Sequence, residues 1–198
     1  MKIWQVVPYY PPHVGGMEYY VERLSEELAA RGHEVTVFTS SNNKTQEAYT
    51  RNGVKIRTLK IMTKIYNNPI SPTLFTQLMN EEKPDIIHTH QYPIFYSDTA
   101  AAVAWTRKIP LIVHVHVISD AKSPISGFIS DKYYSSLGLR TLTTANNIIV
   151  PSKAYKTKLA NMHINPKKLQ VIPYGIDTKK FQNNPNGEAF KIKYNCNW

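Results

Sequence analysis

Val7-Pro8-Tyr9-Tyr10-Pro11-Pro12-His13-Val14-Gly15-Gly16-Met17-Glu18, continued to Arg31-Gly32-His33, is the stretch from which the fold is read. A short apolar run, Ile3 to Val7, stops at a loop of prolines and aromatics. A glycine pair follows, and Met17, Val21, Leu24 and Leu28 then recur at helical spacing. Gly32 predicts a left-handed cap that ends the helix, and Glu34 to Phe38 reads as a returning strand. The unit is β-loop-α-β. Gly15 and Gly16 put backbone freedom and bare N–H groups where aligned peptide dipoles leave partial positive charge. A phosphate or carboxylate is the expected guest, and the loop is the expected working end.

Further strands are predicted at Val54 to Leu59, Asp85 to His90, Ile109 to Val115, Asn147 to Val150 and Leu169 to Ile172. The first of these alternates and reads as an edge-side strand after a polar stretch, Ser40 to Asn52, and an Asn52-Gly53 turn. Helices are predicted after Ser71-Pro72, with Leu74, Phe75, Leu78 and Met79 on one face, and after Pro93, with small residues from Ala100 to Ala104. Two more are expected at Asp131 to Thr144 and behind a Ser152 cap, with Asn67-Asn68-Pro69 as a breaker and Ile118 to Phe128 as a loop. Strands alternating with helices make an α/β protein with a doubly wound parallel sheet and right-handed crossovers. Ligands of such sheets sit beyond the carboxyl ends of the strands. Those ends are Pro8 to Gly16, His88 to Tyr92, His114 to Asp120 and Tyr174 to Asp177.

Composition bounds the class. With 198 residues, 42% of them hydrophobic, the chain suits one well-buried domain. No apolar stretch approaches the ~20 residues of a membrane span, and a start running straight into a strand predicts no signal peptide. The single cysteine, Cys196, excludes an intramolecular disulfide and suits a cytoplasmic location. The net charge of +10 favours phosphorylated substrates, an anionic membrane surface or nucleic acid, or is simply a solvated basic face. Nucleic acid is set aside, because no helix-turn-helix, RRM or zinc-finger pattern accompanies the charge.

Gly15-Gly16 is not a G-x-G-x-x-G fingerprint, and no acidic residue closes the strand Glu34 to Phe38, so a dinucleotide site is disfavoured. Two His-x-His pairs, His88/His90 and His114/His116, fall at the ends of neighbouring strands, where alternate residues share a face. The geometry permits zinc, but no carboxylate completes a ligand set, and no tightly bound metal is expected. The last histidine of each pair, nearest the strand end, is the better functional candidate. Glu18, Glu22 and Glu26 form a carboxylate stripe explained by solvation, with Glu18 also suited to the helix N-terminus. No Gly-x-Ser-x-Gly elbow or cysteine nucleophile context supports a hydrolase.

Read in order, these stretches resemble the N-terminal half of a GT-B glycosyltransferase of the large retaining group called family 4. The resemblance rests on Pro11 to Glu18, Arg31 to Val37, Pro84-Asp85-Ile86-Ile87-His88-Thr89-His90 and Pro110-Leu111-Ile112-Val113-His114-Val115-His116, then Val150-Pro151-Ser152 and Val171-Ile172-Pro173-Tyr174-Gly175-Ile176-Asp177 with Phe181. It implies a Rossmann-like domain over residues 1–181, with 182–198 as linker or the start of a second, donor-binding domain.

The resemblance further implies sugar transfer from a nucleotide-diphosphate sugar donor with retention, generally without metal or other cofactor. Gly15 and Gly16 would approach the donor phosphates, and His116 would be the catalytic group beside the transferred sugar. Tyr9, Tyr10, His13, His90, Gln91, Tyr92 and Asp120 would face the acceptor, and the main cleft would lie along their loops. The family's donor-binding Arg and Lys and its Glu-x7-Glu motif belong to the second domain; the Glu18/Glu26 spacing is not that motif. A C-terminal GT-B domain or a separate partner chain is therefore the expected partner, with peripheral membrane contact, and this chain alone is expected to fold without transferring sugar. The competing reading is a non-catalytic sugar- or nucleotide-binding module, or a membrane-docking module, that works with a partner chain.

Overall fold

A computed structural model describes residues 1–41, 47–65, 68–118, 138–176, 178 and 191–193. The chain runs through β1 (Lys2–Val6), α1 (Gly16–Ala30), β2 (Glu34–Ser41), β3 (Ala48–Arg51), β4 (Val54–Lys60), β5 (Thr63–Ile65) and β6 (Asn68–Ile70). It continues through α2 (Thr73–Asn80), β7 (Ile86–His90), α3 (Phe95–Arg107), β8 (Leu111–His114), α4 (Leu139–Thr144), β9 (Asn147–Val150), α5 (Lys153–Asn161) and β10 (Leu169–Val171).

One eight-stranded sheet has the order β10-β9-β8-β7-β1-β2-β4-β3; β5 and β6 pair separately. All its pairings are parallel except that of β3 with β4. From β1 the chain winds outward through β2 and β4, then returns to β7 and winds the other way. Strand order therefore reverses between β1 and β7, where a doubly wound sheet opens a crevice. The glycine loop leaves β1 at that place.

Parallel register puts aligned residues on one face. Gln5 aligns with Val37 and with His88, Val37 with Ile56, and His90 with His114. Over β2 and β4 this face is apolar, with Val35, Val37, Val54 and Ile56 packed on Val21 of α1, while β1 contributes Gln5. Over β7 and β8 it carries imidazoles. The opposite face builds the larger core, in which Trp4, Val6, Phe38, Ile87, Leu111 and Val113 meet Leu74 and Leu78 of α2 and Ala100, Val103 and Ala104 of α3. At ~25 cal/mol per Å² of apolar surface buried, that layer is the main stabilising contribution.

All seven predicted strands form within a residue or a few of their expected bounds. Gly32 takes φ 83°, and the Gly32 and His33 amides donate to the Ala29 and Leu28 carbonyls, giving the left-handed helix stop. Ser152 caps α5 by accepting from the Tyr155 amide at 3.4 Å.

Several expectations are corrected. β4 is not the edge: the polar stretch contains β3, folded back by a two-residue turn with Asn52 at φ 49° and Gly53 at φ 78°. Asn68 and Pro69 lie in a short strand, not a breaker. Phe75 is exposed, whereas Leu74 and Leu78 are buried. Pro72, not Ser71, flanks α2, and the Ser71 hydroxyl instead accepts from Tyr96 Oη at 3.0 Å. Of the loop and helix expected over 118–144, only Ile118 and residues 138–144 are described, and the boundary at 181/182 also lies outside the described residues.

Candidate functional site

Three carboxyl-end loops, after β1, β7 and β8, converge where strand order reverses, and the peptide after β10 joins them. Gly15 precedes α1 with φ −175°, an extended conformation open to any residue. A methyl group built there would stand 2.0 Å from Glu18 Oε2, so a side chain at this position would require that carboxylate to move. Gly16 has nothing within 4 Å of the same position, so its backbone is open to approach. Glu18 is buried, and its Oε1 lies 3.2 Å from His13 Nδ1. The solvated-stripe reading of Glu18 is thereby corrected: its carboxylate fills the space against Gly15 at the start of the helix. Glu22 and Glu26 are also largely covered, and they pair with Arg51 and Arg23 respectively.

His13 stacks on Tyr9 with ring centroids 4.3 Å apart, and Lys64 Nζ lies 5.4 Å from the Tyr9 ring centroid. Tyr9, Tyr10 and His13, with Ser40 and Thr58, line a pocket of about 120 Å³. Tyr9, Tyr10, His90 and Tyr92 are nearly without exposure, so they shape this edge from beneath. Desolvation pushes the Tyr10 and Tyr96 phenols up, keeping both protonated.

Gln91 acts as a brace. It holds φ 70°, a left-handed conformation that a non-glycine residue keeps only when its surroundings demand it. Its amide donates to the His114 carbonyl at 2.7 Å, and its Oε1 accepts from the His116 and Val117 amides at 3.2 and 2.9 Å. Its Nε2 donates to the Tyr92 and Val117 carbonyls. Both ends of the side chain are thus committed to fixing the loop that carries His116.

The histidines form one cluster. His90 Nε2 meets Gln5 Oε1 at 2.7 Å, His90 Nδ1 meets His116 Nε2 at 3.1 Å, and His116 Nδ1 meets Tyr174 Oη at 2.8 Å. A neutral imidazole has one donor and one acceptor. With the Gln5 oxygen facing His90, the order follows: Tyr174 O–H donates to His116, His116 Nε2–H to His90, and His90 Nε2–H to Gln5. Burial drives the His116 and His88 pKa values down to about 3 and that of His114 to about 4; His90 also falls well below the ordinary 6.5. Neighbouring imidazoles add to the lowering at His88, His90 and His116. Burial pushes the Tyr174 phenol up to about 12, which keeps it a donor. Tyr20, one turn into α1, covers the cluster edge-on, 5.4 Å from the His116 ring and 5.0 Å from that of His114.

The expected cleft runs as far as Asp120 and is therefore described only in part. A separate concavity of about 630 Å³ lies at the opposite sheet edge, between the end of α3 and the starts of β8 and β9. Its lining includes Trp105, Lys108 and Pro110, and Asn146 Oδ1 there already accepts from the Leu111 amide. It holds no convergent set of buried polar groups, whereas the carboxyl edge does. Asp120 lies outside the described residues. Sequence reasoning placed Glu18 at the helix N-terminus but missed its burial against Gly15, the bracing role of Gln91 and the contact from Tyr174; the last joins residues 58 positions apart.

A family model for Glycosyltransferase Family 4 matches residues 14–180. The chain is 26% identical over 192 residues to one of the polypeptides of human phosphatidylinositol N-acetylglucosaminyltransferase, covering 93% of this chain and 38% of that one. It is 24% identical over 205 residues to D-inositol 3-phosphate glycosyltransferase of Kineococcus radiotolerans, covering 90% and 45%. Among solved structures, Anabaena Alr3699/HepE in complex with UDP superposes with a TM-score of 0.69 at 14% identity, over 98% of this chain and 50% of that one. WaaG, a glycosyltransferase involved in lipopolysaccharide biosynthesis, superposes at 0.63 and 15%, over 100% and 52%. The chain spans less than half of the length of the two sequence relatives. No helix among the described residues is long and apolar enough to cross a membrane.

Proposed function

Because the chain belongs to glycosyltransferase family 4 and has the fold of an N-terminal, Rossmann-like GT-B domain, we propose that it is the acceptor-side half of a retaining glycosyltransferase that uses a nucleotide-diphosphate sugar. The observation that carries this reading is the meeting of Tyr20, one turn beyond the open Gly16 backbone, with His116 at the strand-order reversal. An open helix start and a braced histidine at one edge suit a diphosphate and the sugar attached to it.

In this reading the Gly16 amide region receives the donor phosphates as an opposing domain closes. His116 offers a hydrogen bond to the transferring sugar, exchanging one of its present partners for a substrate hydroxyl. Tyr9, Tyr10, His13, His90, Gln91, Tyr92 and Asp120 form or support the acceptor wall. The opposing domain supplies cations for the leaving diphosphate and excludes water, which strengthens every charge interaction in the cleft. Two relatives with inositol in their names, together with the charge of +10, support a phosphorylated acceptor and peripheral contact with anionic lipid.

The test uses a panel of nucleotide-sugars with inositol phosphates and phosphatidylinositol vesicles as acceptors, read as nucleotide diphosphate release. The chain alone should give none above background. Joined to a donor-binding domain of the same family it should turn over, and His116→Ala or Gly16→Val should lower the rate by roughly 10²–10³-fold, the worth of ~2.7–4 kcal/mol. Turnover by the chain alone overturns the half-enzyme reading. Wild-type rates in both variants remove those residues from the mechanism.

A further inference from the structure

Beyond the transfer reaction, we infer that the imidazole cluster beneath Tyr20 is a binding site for a divalent transition metal of the zinc class, held by His88, His90 and His114. The three side chains offer ring nitrogens that all lie within 4.8 Å of one another, and each residue is more than nine-tenths buried. His88 Nε2 and both nitrogens of His114 have no hydrogen-bond partner. Buried polar atoms are seldom left so, and one nitrogen from each of the three rings lies in the same small volume.

The expectation of a metal-free cluster rested on the missing carboxylate. Three imidazoles need none: a tris-histidine set with a fourth position for water or another ligand is an established zinc geometry. His90 carries the outer support that ligating histidines show. Its Nε2–H is held by Gln5 Oε1 at 2.7 Å, which fixes the tautomer and leaves Nδ1 as the lone pair. That lone pair now accepts from His116 Nε2–H at 3.1 Å, a bond that metal binding would replace. His116 lies outside the ligand set, and the fourth position is left for water or another ligand. Burial keeps these rings neutral, the form in which imidazole binds metal. Water is the competing guest, since it too can satisfy orphaned nitrogens.

The experiment titrates the chelator-stripped 198-residue chain with Co(II), follows visible absorption, and then displaces Co(II) with Zn(II). One equivalent per chain should bind, with intense low-symmetry bands that Zn(II) abolishes. His114→Gln and His88→Gln should each weaken binding at least tenfold, while His163→Gln, outside the cluster, should not. Saturable binding that survives both cluster substitutions, or no saturable binding in the wild type, overturns the inference and leaves water as the guest. Should the cluster variants not fold, imidazole NMR of the wild type decides. Zn(II) must shift the ring resonances of His88, His90 and His114, and shifts confined to His13, His33 or His163 refute the site.

Discussion

Strands β7 and β8 have two faces of opposite character. On one, Ile87, Leu111 and Val113 are buried against α3, close-packed with small side chains. On the other, His88, His90 and His114 are equally buried, yet His88 and His114 leave nitrogens without partners. The same two strands thus carry a face that stabilises the fold and a face that costs it stability. Packing on the α3 side holds the strand ends still, and the imidazole side uses that rigidity to fix His116.

The largest consequence of the difference is acid sensitivity, measured with chelator present. Above pH 6.5 these histidines are neutral in both folded and unfolded chains. Below it the unfolded chain takes up protons that the folded cluster refuses, so stability falls as pH falls. The slope is about 1.4 kcal/mol per pH unit for each histidine, levelling near 4 for His114 and near 3 for His88 and His116. Urea midpoints recorded from pH 7 to 4.5 should drop steeply, and His114→Leu should flatten the profile by one histidine's share. A level profile would show that protonation does not oppose the fold.

Next in size is a paired substitution. Leu111→Ala should cost about 2–5 kcal/mol by opening a cavity against α3. His114→Leu should cost nothing or add stability, because it removes two unpartnered buried nitrogens, each worth roughly 1–3 kcal/mol. Equal losses in chemical denaturation would erase the contrast between the faces. Smallest is Tyr174→Phe, which deletes the hydroxyl that donates to His116 Nδ1. About 0.5–1.5 kcal/mol should be lost, read as a modest fall in Tm with the fold intact. An unchanged Tm would mean that the peptide after β10 adds nothing to the cluster.

Much of this was legible in the chain. Period-two spacing put His88 and His90 on one face, and the glycine pair marked the helix start, because both depend on local geometry. What was hidden depends on neighbours distant in sequence. Glu18 looks like its companions Glu22 and Glu26 until the fold tucks it against Gly15. Gln91 reads as an ordinary polar loop residue, and only the return of β8 beside β7 gives its amide groups their carbonyl and N–H partners. β3 escaped notice because its four residues are all exposed and so carry no alternation, although the Asn52-Gly53 turn pointed to a strand on either side.

Those exposed residues have a consequence for how the protein behaves at high concentration. A parallel sheet ending on an open strand would offer a row of unpaired amides and carbonyls to any passing extended chain. Here one border is the four-residue antiparallel strand Ala48–Arg51, with Arg51 tied to Glu22 at 2.8 Å, and the other is the three-residue strand Leu169–Val171. Both borders are too short to template a long ladder, and one carries a paired charge. The apolar interior strands are thereby shielded from edge-to-edge aggregation.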